Sequence, residues 1–136
     1  MVRRIGRRGV SALEFALVAP VLALLLFGTY DVANVVQTSI RLERAARAGA
    51  QYAAANAADM EAVRARVIAA WPELTAADVP LPTLTCECAS AVVSCNESCG
   101  TAGPVRTVTI TASRTLSPVL LQDMDRGQGS AVVRLR

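Results

Sequence analysis

The stretch Arg7–Ala33, RRGVSALEFALVAPVLALLLFGTYDVA, decides how this 136-residue chain is read. From Phe15 to Tyr30 it carries no charge over 16 residues, and counting back to Val10 gives 21 residues interrupted once, by Glu14. At about 1.5 Å per helical residue the longer run spans ~31 Å, close to the ~30 Å hydrocarbon core of a bilayer. It predicts a transmembrane helix over 10–30. Arg3, Arg4, Arg7 and Arg8 before it and Asp31 after it favour a cytoplasmic N-terminus, a preference that Arg41 and Arg44 weaken slightly. A cleaved secretory signal begins in the same way. Its best small-x-small exit frame here, Asp31-Val32-Ala33, places an acid at −3, and the apolar run is longer than a usual signal, so a retained anchor is the preferred reading.

Two residues inside the run need an explanation. Pro20 removes one backbone hydrogen bond, which membrane helices tolerate, and a kink is expected near it. Glu14 puts a carboxylate among apolar neighbours at ~2.5–3.5 kcal/mol on insertion scales, so it either meets a specific partner or sits at the headgroup boundary. Position alone leaves both readings open.

Composition narrows the chemistry. All 14 basic residues are Arg and His is absent, which excludes His-ligated metals, Ser-His-Asp and Cys-His nucleophilic sites and a Lys Schiff base. Four of those 14 Arg lie in the first eight residues, and 11 acids nearly balance the rest, so no basic groove with interleaved aromatics is available for nucleic acid. Hydrophobic residues make up 53% of the chain but aromatic ones only 4%, which predicts one domain with a thin Ala/Val/Leu core.

Read together, Arg7-Arg8-Gly9, Val10-Ser11-Ala12-Leu13-Glu14-Phe15 and the apolar run resemble the processing site of type IV pilin-like precursors, and over the whole stretch the TadE-like family of minor pilins or pseudopilins of tight adherence (Flp pilus) systems. The resemblance implies a basic leader, 1–9, cleaved between Gly9 and Val10 by a membrane prepilin peptidase. Glu14 then becomes the fifth mature residue, where the family's acid is thought to meet the N-terminal amine of a neighbouring subunit. Phe15 and the long C-terminal part separate the chain from the major Flp pilins, which are far shorter and carry Glu followed by Tyr.

Beyond the membrane the helical pattern continues from Asp31 to about Ala55, with an apolar stripe at Val32, Val35, Val36 and Ile40 that gives way to a small-residue row at Ala45, Gly49 and Ala53. That row reads equally as a packing face or as part of an Ala-rich soluble helix. Glu43 and Arg47 are spaced to pair on the opposite side. Asp59 and Glu61 mark the start of a second helix to about Ala70, with Met60, Val63, Val67 and Trp71 on one face, so that the lone Trp reads as core rather than as a ligand platform. Pro72, Pro80 and Pro82 form a connector. From Thr83 the period becomes two, giving strands at Thr83–Cys88, Ala91–Cys95, Val105–Thr115 and Ser130–Leu135, while Gly127-Gln-Gly129 and Asp123 with Asp125 read as connections.

Cys86, Cys88, Cys95 and Cys99 lack the paired knuckles of a zinc site, and after an export segment they read as two disulfides; a cytoplasmic location would reopen the metal reading. Of three possible pairings, the nested Cys88–Cys95 and Cys86–Cys99 closes a hairpin without crossing.

The expected architecture is α+β, pilin-like: a long N-terminal transmembrane and amphipathic helix followed by a small antiparallel sheet. Its parts are the leader 1–9, the membrane helix 10–30, a periplasmic helical region 31–82 and a disulfide-stapled β region 83–136. The expected function is a minor pilin-like (pseudopilin) subunit in Flp-type pilus biogenesis, anchored in the inner membrane with its C-terminal part periplasmic. Expected partners are membrane lipid, the prepilin peptidase, other pilin-like subunits and the assembly platform, with no catalytic residue, metal, cofactor, nucleic acid or small-molecule substrate. The alternative is an unprocessed single-pass anchored periplasmic scaffold or binding protein. A small periplasmic enzyme would need a deep pocket lined by Glu87, Glu97 or Asp123.

Overall fold

The computed structural model describes residues 7–89, 91–100 and 103–135. Most of the expected leader therefore lies outside the described residues, while Gly9 and Val10 fall in the first turn of α1.

Helix α1, Arg7–Ala55, runs 49 residues without interruption through Pro20. Helix α2, Met60–Ala70, starts where expected: Asp59 caps it by accepting from the Ala62 amide at 2.9 Å. Four antiparallel strands follow, β1 Thr83–Cys88, β2 Ala91–Val93, β3 Val105–Thr115 and β4 Arg126–Leu135, in the order β2-β1-β3-β4. The fold is α+β, with a long apolar helix followed by a small antiparallel sheet.

Only the second half of α1 belongs to the folded head. There Leu42, Ala45, Ala46 and Ala53 are buried against Val63 and Val67 of α2 and against Val108, Ile110 and Ala112 of β3. The period-two reading of β3 holds, since those three inward residues alternate with Thr107, Thr109 and Thr111. Trp71 is half-buried against this core, as expected, with the Arg114 and Arg41 guanidiniums 5.2 and 5.9 Å from its ring centre.

The stripe Val32, Val36 and Ile40 stays exposed, and the helix packs through Thr38, Leu42, the Ala45–Gly49–Ala53 row and their neighbours. Small residues win this face because a Cβ on Gly49 would strike Val67 of α2 and stand 3.4 Å from Ile110 Cδ1, so only a bare backbone lets helix and sheet close in together. The fourth strand begins at Arg126, earlier than expected, and Gly127-Gln-Gly129 is its first stretch rather than a connection. A Cβ on Gly127 would lie 2.7 Å from Thr38 Cγ2, and one on Gly129 2.7 Å from Leu42 Cβ, so the glycines mark the place where the strand runs along α1. Strand β2 ends at Val93, short of the expected Cys95.

Candidate functional site

The apolar half of α1 projects from the head. Its most hydrophobic 18-residue window has a mean hydropathy of 2.1 and no part of it is buried, so it is a candidate membrane anchor by length and composition. Leu13, Phe15, Leu17, Leu24, Leu25, Leu26 and Phe27 are all exposed, Leu26 to 70%. Glu14 stands among them, likewise exposed, next to Phe15. The Thr29 hydroxyl is satisfied within the helix, donating to the Leu25 carbonyl at 2.7 Å.

Where this half meets the head, Asp31 is 2% exposed and accepts three backbone hydrogen bonds from one loop: Val119 N at 2.9 Å, Leu120 N at 2.7 Å and Leu121 N at 2.9 Å. The Val119 amide, then Leu121 and Leu120, hold its carboxyl below the usual carboxylate range, against an opposing effect of desolvation. The loop is the β3–β4 connection, closed by Leu116 N donating to the Asp125 carbonyl and Met124 N to that of Leu121. In the sequence Asp31 marks topology and the end of the apolar run, with nothing to show a tertiary role. Its local clue was a single acid ending the apolar run, but the partner lies 88 or more residues away, where no spacing rule reaches.

The cysteines occupy the far end of the head. Strand β4 keeps step with α1, Gly127 facing Thr38 and Val132–Val133 bordering Ala50 and Ala54, so β3 runs back towards the anchor and β1 away from it. The bridges are Cys86–Cys95 and Cys88–Cys99, Cα atoms 5.1 and 5.5 Å apart, in place of the nested pairs. Register explains the change. Cys86 faces Val93 and Cys88 faces Ala91, so Cys95, two beyond Val93, falls beside Cys86 and not beside Cys88. The chain then returns so that Cys99 reaches Cys88.

The connector between α2 and β1 is tied at Asp78, whose carboxylate accepts from the Thr75 hydroxyl at 2.7 Å and the Thr75 amide at 2.8 Å. Both bonds hold its carboxyl below the usual range. Glu43 and Arg47 pair at 2.7 Å as their spacing predicts, on an exposed face where such a pair stabilises little.

A groove of about 650 Å³ runs between α1 and the β3–β4 hairpin, lined in part by Val36, Ile40, Glu43, Pro80, Thr111 and Gln128. Glu43 is the only acid on its wall, and Glu87, Glu97 and Asp123 do not line it. Nothing positive among the described residues points to catalysis.

A long helix with a candidate membrane anchor, followed by an α+β head, is the class these features define. Compared with known proteins, residues 9–51 match the model of the family TadE-like protein, in agreement with the resemblance drawn from the sequence. The match begins at Gly9, takes in Glu14 and Phe15, and ends inside the packed half of α1; it points to involvement with Tad/Flp pilus systems. No curated protein and no solved structure matches the chain.

Proposed function

We propose that the chain is a minor pilin-like (pseudopilin) subunit acting in biogenesis of a tight adherence, Flp-type pilus. The family match over 9–51, which takes in the apolar segment that the head leaves uncovered, supports this reading most directly. The leader 1–9 is removed between Gly9 and Val10 by a prepilin peptidase on the cytoplasmic side, and 10–30 spans the inner membrane. The helical region 31–82 and the stapled β region 83–136 face the periplasm, where an oxidising milieu suits the two disulfides.

Processing leaves a free α-amine on Val10, four residues before the helix's own acid, Glu14. In a subunit array Glu14 pairs with that amine on a neighbour, which compensates a carboxylate otherwise expensive in hydrocarbon. Phe15 and the leucines then pack against lipid before extraction and against other pilin-like subunits afterwards. The head is carried outward by the assembly platform.

The test is the mass and first residue of the chain from native membranes, together with pilus counts. The reading expects Val10 first, uncut chain in the Gly9→Ala variant, and processed chain but fewer pili in Glu14→Ala. A wild-type chain that keeps its leader, with normal piliation after deletion, would mean an anchored scaffold instead.

A further inference from the structure

The β3–β4 loop lies against the last turn of the apolar segment. A Cβ on Gly28 would stand 3.9 Å from Leu120 Cδ2, and Asp31 takes up the amides of Val119, Leu120 and Leu121. Its sequence from Leu116 to Gln122, LSPVLLQ, has no charge. Val119 is 59% exposed, Leu120 41% and Met124 39%, and Tyr30, on the helix at the same level, is exposed too.

We propose that this loop is a second membrane contact, with Val119 and Leu120 seated in the outer headgroup and acyl boundary of the bilayer that α1 crosses, while the exposed Asp123 and Asp125 keep Met124 on its watery side. The proposal rests on the anchor reading, because the anchor fixes the height. A span over 10–30 brings Gly28 to the edge of the hydrocarbon, so a loop held at residues 28–31 cannot avoid the lipid surface. Continuity selects lipid as the occupant, since the exposed loop side chains extend the exposed apolar surface of Leu24, Leu25 and Phe27. Tyr30 suits the same depth, where amphipathic rings collect.

Burying a loop there requires that its backbone be satisfied. Asp31 does this for three amides at once, and its own charge is taken up by those same donors. The arrangement gives the head a fixed tilt on the membrane: one attachment through the helix, another through the loop, and the disulfide hairpin pointing away.

The full chain, reconstituted in vesicles whose acyl chains are brominated near the headgroup, tests this. A tryptophan is added at an exposed position, Val119→Trp in the loop or Val92→Trp near the cysteines, and native Trp71 contributes the same background to each. Seating ~5–10 Å into the boundary predicts that the emission added by Val119→Trp falls by about half with bromine present, and that of Val92→Trp not at all. Equal quenching of the two, or none in Val119→Trp, overturns the proposal. So does Val119→Trp emission that follows protein density rather than bromine, which would mean that a second copy covers the loop. Flotation separates the two readings: a chain that fails to float with vesicles defeats the anchor and the loop together, whereas one that floats unquenched defeats only the loop.

Discussion

Between Ser11 and Tyr30, α1 turns Leu and Phe side chains outward all round, whereas between Asp31 and Ala55 the same helix buries Thr38, Leu42, Ala45, Ala46 and Ala53 and leaves Val32, Val36 and Ile40 exposed. Charge separates the two halves, with none from Phe15 to Tyr30 against Asp31, Arg41, Glu43, Arg44 and Arg47 beyond; within the second half, residue size decides which face packs. A half made for lipid or neighbouring helices needs bulk and no particular stripe. A half that must admit both a second helix and a sheet needs small residues where backbones come close. The glycines of β4 make the same bargain from the other side, leaving space for α1 where a side chain would stand.

The sharpest way to break this comparison is to give the close approach a side chain. Gly129→Val is expected to abolish the folded head, exceeding the ~1–3 kcal/mol usual for overpacking, because the clash is with the backbone amide of Glu43 as well as with Leu42 and neither can swing away. Loss of near-UV circular dichroism and rapid proteolysis of 31–135 in detergent would report it; a cooperative melt like that of wild type would mean that strand and helix do not meet there.

Smaller in effect, and sharper as a contrast, is the same truncation in each half. Leu42→Ala removes a fully buried side chain and is expected to cost about 2–5 kcal/mol in denaturant melts of the head. Leu26→Ala, 70% exposed in the other half, should leave that melt where it was. Equal shifts would show that the projecting half is coupled to the head's core after all.

These regions were not equally legible. The apolar run, the Asp59 cap and the alternation of β3 are local patterns, read within one or two turns of chain, and the structure reproduces the bounds of α2, β1 and β3 drawn from them. What escaped depends on pairing at a distance. Gly127 and Gly129 look like turn residues until α1 is laid beside them. The stripe of Val32, Val36 and Ile40 does not by itself say which face of α1 packs, until Gly49 brings α2 and the sheet to the neighbouring one. The cysteine pairing hinges on the β1–β2 register, which the three spacings between four cysteines cannot supply. At the candidate site, Gly9, Glu14 and Phe15 stood out through their resemblance to a known motif, but Asp31, which joins the site to the head, offered no motif.

Asp31 ties the β3–β4 loop to α1 where its two halves meet, and acid should loosen that joint with the least effect on the remainder of the fold. Its folded pKa lies below the ordinary 3.8 because the loop amides favour the charged form, so the stabilisation is complete well above that value and is lost as pH falls through the lower, folded one. The amide resonances of Val119, Leu120 and Leu121 should therefore shift together, with one midpoint under 3.8, while β3 and α2 keep theirs. Asp31→Asn should bring those three amides to faster hydrogen exchange at neutral pH, because the uncharged amide is a weaker acceptor. A midpoint above 3.8 would mean that desolvation outweighs the three donors. The loop would then be held by its side chains, and the junction between anchor and head would be built from apolar packing, as the core of the head is.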